Sequence, residues 1–70
     1  MLTKKQNEIL DIIIKYIEHE GIAPTTREIG ELAGLASTST VHGYLTRLEE
    51  RGYITRRKES PRSIRVIKKG

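Results

Sequence analysis

Apolar residues in the first fifty positions recur at helical spacing, interrupted at glycines 21 and 34 and ended at Gly52. At about 100° per residue, Ile9, Leu10, Ile13, Tyr16 and Ile17 share one face of a segment from Leu2 to Glu20, with Lys4, Asp11, Lys15 and Glu18 opposite. Thr3 and Gln6 have the spacing of a capping box, in which each side chain satisfies a free amide at a helix start. Gly21 then supplies the usual stop. After the extended Ala23-Pro24 link, Thr25 and Glu28 repeat the box and predict a second helix to about Ala33. Its buried side is expected to be Ile29, Leu32 and Ala33, with Gly30 leaving room for another helix and Gly34 ending the element. Val41, Leu45 and Leu48 define the inner face of a third helix starting at Ser37, whose hydroxyl is expected to cap the amides of Ser39 or Thr40.

Beyond Gly52 the periodicity changes from helical to alternating. Tyr53 to Arg56 and Ser63 to Ile67 read as two strands joined by a loop containing Ser60-Pro61. Two strands alone are marginal in water, so the hairpin must pack on the helices through Ile54, Ile64 and Val66. The expected fold is mainly α with a small β-hairpin. It is a winged helix-turn-helix of three helices plus a two-stranded antiparallel wing, one domain over residues 1–70. The helix-turn-helix would occupy about 26–48 and the wing about 53–67.

Charge sharpens this picture. Residues 1–50 hold five Lys or Arg against eight Asp or Glu, whereas residues 51–70 hold eight against one. The overall +4 therefore lies in the last twenty positions, which suits contact with a polyanion or, equally, a solvated tail. There is no cysteine, and the apolar runs are too short to span a membrane. No cofactor, metal ion or small-molecule substrate is expected, because no cluster of ligands or catalytic groups converges along the chain. A chain of this length buries only about 60% of its unfolded surface, so its stability margin should be modest.

The outer face of the third helix carries the strongest functional signal. An exposed helix ordinarily favours Glu, Lys, Gln and Ala, but here the first turns carry Thr38, Ser39, Thr40, His42 and Gly43. Hydroxyls can bond base edges, and Gly43 lets the backbone approach a base or a thymine methyl. The competing reading is a frayed helix start, with Gly43 serving close packing inside the protein. His42 could offer a ring nitrogen to a base or a phosphate. Lys5, Arg27 and Arg47 are candidate phosphate anchors or solvated charges, and Lys58 and Arg62 on the hairpin loop could reach an adjacent groove or strand. An alternative function, a winged-helix module that docks on protein, would require an apolar patch on the third helix.

These residues resemble the N-terminal DNA-binding domain of the LexA repressor family, of the Gram-positive type. The matching blocks are Pro-Thr-Thr-Arg-Glu-Ile at Pro24 to Ile29, Gly-Leu-Ala-Ser at Gly34 to Ser37, Ser-Thr-Val-His-Gly at Ser39 to Gly43, and Pro-Arg-Ser-Ile at Pro61 to Ile64. The resemblance implies a third helix in the major groove of a palindromic operator and repression of DNA-damage (SOS) response genes in the bacterial cytoplasm, at the nucleoid. By position it implies base contacts from Ser37, Ser39, Thr40, His42 and Gly43, and phosphate or wing contacts from Lys5, Arg27, Arg47 and Arg62. It also implies a homodimer on double-stranded DNA, with dimerisation weak or absent in the isolated domain. Full-length members continue into a self-cleaving serine-peptidase-like domain. This chain ends at Gly70 and is expected to lack it, either as a piece of a longer repressor or as a small stand-alone relative such as a phage-type regulator.

Overall fold

The computed structural model describes residues 2–57 and 59–69. Lys58, one of the two wing cations singled out above, lies outside the described residues. Three helices are followed by a short hairpin: α1 (Lys4–Glu20), α2 (Thr26–Ala33), α3 (Thr38–Glu50), β1 (Ile54–Thr55) and β2 (Arg65–Val66). The strands pair antiparallel, Ile54 with Val66 and Thr55 with Arg65.

Both capping boxes form. The Thr3 hydroxyl accepts from the Gln6 amide at 3.1 Å while Gln6 Oε1 accepts from the Thr3 amide at 2.9 Å, and Thr25 and Glu28 do the same at 3.1 and 2.8 Å. Thr3 is the cap, so α1 begins at Lys4 and the expected start at Leu2 was two residues early. Leu2 instead buries its side chain in the core. Gly34 closes α2 in the left-handed conformation, φ 72°, which glycine adopts without a Cβ penalty. Its corner is fixed by the Leu35 amide donating to the Gly30 carbonyl at 2.8 Å.

One core joins all the elements: Ile9, Leu10 and Ile13 from α1, Ile29 from α2, Val41, Leu45 and Leu48 from α3, and Ile54 and Ile64 from the hairpin. Gly30 lies where α2 meets the start of α3. A Cβ there would stand 3.2 Å from the Leu35 carbonyl oxygen and 3.3 Å from Val41 Cγ2, tighter than ordinary contact. The expected close approach is therefore present, and it sets the spacing of the helix pair.

Leu32 departs from expectation: it is 58% exposed, not part of the buried side of α2. The buried positions Ile29 and Gly30, with Ala33 half-buried, centre the inward face between residues 29 and 30 on the wheel. Leu32 sits about 110° from that centre at 100° per residue. It lies along Ile12 and Tyr16 of α1 in a shallow surface groove.

The strands are also shorter than the alternation suggested. At one end the Tyr53 amide donates to the Leu48 carbonyl at 2.9 Å, which ties that residue to the end of α3. At the other, the Ser63 hydroxyl accepts from the Arg57 amide at 2.7 Å and lies 2.9 Å from the Arg57 and Ser60 carbonyl oxygens. A side chain thus takes the place of a ladder bond and closes the wing loop.

Candidate nucleic-acid interface

The outer side of α3 is open along its length. Ser39, Thr40, His42, Gly43, Thr46, Arg47 and Glu50 are all exposed, while Val41, Leu45 and Leu48 hold the opposite side in the core. Gly43 decides between the two readings of its role. A Cβ built there meets nothing within 4 Å, so packing inside this protein does not demand glycine at that position. Gly30 shows what a packing glycine looks like in the same fold; Gly43 is its opposite. A glycine costs a helix interior roughly 1 kcal/mol relative to alanine, and its exposed placement suits the approach of a partner's surface.

Ser37 stands at the cap position of α3, but its hydroxyl makes no capping hydrogen bond. The expected cap is therefore corrected. The Ser37 backbone stands at φ −104°, ψ 125°, whereas Thr3 and Thr25, whose hydroxyls do cap, stand at ψ 165° and 163°. The Ser37 hydroxyl and the exposed first turn are left facing solvent. No large hydrophobic side chain is exposed on α3 among the described residues; those that are, Ile22, Leu32 and Ile67, lie elsewhere. The apolar patch that a protein-docking α3 would need is not on this face.

The candidate cations divide into two groups. Arg27 near the start of α2 and Arg47 on α3 are exposed and form no ion pair among the described residues. Lys5 and Arg62 already have protein partners. Lys5 Nζ donates to Glu8 Oε2 at 2.9 Å and reaches the Ala33 carbonyl at 3.4 Å, where a cation suits the C-terminal end of α2. Arg62 crosses from the wing to α2 and grips Glu28 with two hydrogen bonds, 2.9 Å to Oε1 and 3.0 Å to Oε2, and adds a third to the Ala23 carbonyl at 3.0 Å. This forked pairing attaches the hairpin to the helix-turn-helix.

Sequence reasoning missed two further residues. Arg57 lines a cleft of about 260 Å³ between the start of α2, α3 and the wing, together with Thr26, His42, Arg56 and Ser60. Arg56 reaches from the end of β1 onto α3, bonding Glu49, His42 and Thr46. The basic run in the sequence held the signal for both, but nothing in it distinguished an inward-turned arginine from its neighbour.

The Arg62 guanidinium, helped by the Thr25 amide, holds the Glu28 carboxyl down to about 2 from an ordinary 4.5, and the carboxylate in return raises Arg62. The folded value lies below the unfolded one. The pair's contribution to stability is therefore complete above about pH 4.5 and disappears as pH falls toward about 2. Arg62→Ala should lower the melting temperature at neutral pH and flatten its fall across that acid window, with the two proteins converging below it. Circular-dichroism melts against pH would check this. Parallel curves for the two proteins would show that the pair does not couple the wing to α2.

A helix-turn-helix whose second helix opens with a small, uncharged, exposed turn, flanked by a hairpin wing, defines the winged helix-turn-helix class of DNA-binding domains. Within that class the sequence is specific. The chain belongs to the LexA DNA-binding domain family, whose model matches residues 1–63. It is 56% identical to the LexA repressor of Staphylococcus epidermidis and 58% identical to that of Caldicellulosiruptor saccharolyticus, in each case over 94% of this chain. The LexA repressor of Bacillus mycoides is 53% identical over the same share. The chain spans about a third of the length of these relatives.

Proposed function

We propose that this chain is the operator-binding unit of a LexA-type transcriptional repressor of DNA-damage response genes, with α3 seated in the major groove of double-stranded DNA. The observation that carries the reading is the open outer face of α3, where Gly43 leaves space that none of the described residues fills. Ser37, Ser39, Thr40, His42 and Gly43 supply base contacts. Arg27 and Arg47, exposed and unpaired among the described residues, anchor phosphates, and Arg57 adds a cation in the cleft at the wing. Lys5 and Arg62 already bond protein acceptors, so their first role is to hold the domain together. Two copies occupy the halves of a palindromic operator in the bacterial cytoplasm. One copy alone binds a half-site weakly, because dimerisation combines the two contributions.

Selection from a random duplex library followed by titration at several salt concentrations tests this. A palindromic site should emerge. Log affinity should fall with log salt by about 0.9 per phosphate neutralised. Ser39→Ala and His42→Ala should narrow the gap between matched and altered sites, each by about 0.5–1.5 kcal/mol, the value of one hydrogen bond. Arg27→Ala and Arg47→Ala should weaken all duplexes alike and reduce the salt slope by about 1 each. If both classes of change acted identically on matched and scrambled DNA, the assignment of base and phosphate roles would be wrong.

A further inference from the structure

Arg56 follows β1 directly, yet its side chain is only 14% exposed and every guanidinium nitrogen has a partner on α3. Nε donates to Glu49 Oε1 at 2.9 Å, Nη1 stands 3.2 Å from His42 Nδ1, and Nη2 donates to Thr46 Oγ1 at 3.3 Å. His42, Thr46 and Glu49 are spaced four and three apart, so they form one stripe beside the outward face of the helix. One rigid fork from the wing therefore grips a stripe two turns long.

An arginine donates and never accepts. The His42 Nδ1 facing it must accept through its lone pair, so the neutral imidazole carries its proton on Nε2. Nδ1 is turned toward Arg56, and the ring as a whole is exposed. We infer that Arg56 is a positioning residue for DNA readout: it holds His42 in one tautomer and presents Nε2–H to an acceptor on a major-groove base edge. Suitable acceptors are N7 or O6 of guanine, N7 of adenine and O4 of thymine; the N4 amino group of cytosine is rejected. The Glu49 carboxylate compensates the guanidinium charge at 2.9 Å, so Arg56 acts through His42 and not as a phosphate anchor. The inference rests on the DNA-binding reading above and deepens it.

The test combines the ring's nitrogen spectrum with a mutant cycle. Long-range proton–nitrogen NMR on the wild-type chain, at a pH where the ring is neutral, should show Nε2 protonated and Nδ1 bare. Arg56→Ala should give a mixture of tautomers. Its preference for the selected site over single-base variants should fall about three- to tenfold, the value of one hydrogen bond. The double change with His42→Ala should lose no more selectivity than His42→Ala alone, because both act through the same ring. Arg56→Met, which keeps the alkyl packing, repeats the measurement should the alanine variant fail to fold.

A proton on Nδ1 in the wild type, additive losses in the cycle, or a salt slope lowered by about 0.9 in the Arg56 variants would each overturn the inference. A wild-type chain that prefers no duplex overturns the DNA-binding reading and the readout with it. Selective wild-type binding that survives unchanged in the Arg56 variants overturns the Arg56 role alone.

Discussion

Leu45→Ala is expected to lower the unfolding free energy by about 2–5 kcal/mol, the range for a buried leucine truncated in a packed core. Leu45 is fully buried at the middle of the inner face of α3, between Val41 and Leu48, in the cluster shared with α1, α2 and the hairpin. Nearby, α2 already lies so close to α3 that even a Cβ on Gly30 would crowd Val41 at 3.3 Å, which leaves little room for the helices to close on the space. Domains of this size hold only a modest margin, toward the low end of about 5–15 kcal/mol. Much of the population should therefore be unfolded at 37 °C, and urea titration at 25 °C would read the loss directly. DNA affinity should fall only in proportion to the unfolded fraction, because Leu45 faces away from the proposed groove. A loss under about 1 kcal/mol would mean that α3 is not held by this core.

Gly43→Ala should move stability and affinity in opposite directions. The added methyl meets nothing within 4 Å among the described residues, so the helix gains about 0.5–1 kcal/mol from the better helix former. In the proposed groove contact the same methyl would enter a surface apposed to the backbone. Overpacking costs about 1–3 kcal/mol, or roughly five- to a hundredfold in Kd at 1.4 kcal/mol per decade. A melt and a titration on the same preparation would give both signs. Unchanged affinity would place the groove contact elsewhere on α3, and a drop in stability would mean that position 43 is packed.

The helical part of the fold was legible because each signal was local and agreed with its neighbours. Thr3 with Gln6, Thr25 with Glu28 and the inner row Val41, Leu45, Leu48 all specify structure within one or two turns. The misreadings came where one signal was trusted alone. Leu32 fitted an apolar spacing, but the inward face of α2 is centred by Gly30, a residue with no hydropathy to announce it. Ser37 is a good capping residue, but its backbone, at ψ 125°, departs from the ψ of 165° and 163° at which Thr3 and Thr25 cap. In the wing, alternation could not show that Tyr53 and Ser63 divert hydrogen bonds from the ladder.

The site was less legible than the fold. The exposed hydroxyls and Gly43 stood out because they contradict ordinary helix composition, and the contradiction was visible in the sequence. The arginines did not stand out from one another. Arg56 and Arg57 are adjacent, yet one is folded onto α3 and the other lines an open cleft. Arg62, read as a wing contact for DNA, faces Glu28 thirty-four positions earlier. Such pairings depend on tertiary contacts between distant segments, which residue spacing along the chain does not encode.

Glu28 has a consequence of its own. The same carboxylate oxygen accepts from the Thr25 amide and from Arg62, so the opening turn of α2 and the anchorage of the hairpin depend on one side chain. Shortening it to aspartate would withdraw both contacts in a single step. The position cannot drift in sequence for the sake of one element without disturbing the other, and a ligand that pulls on the wing is felt at the first turn of α2.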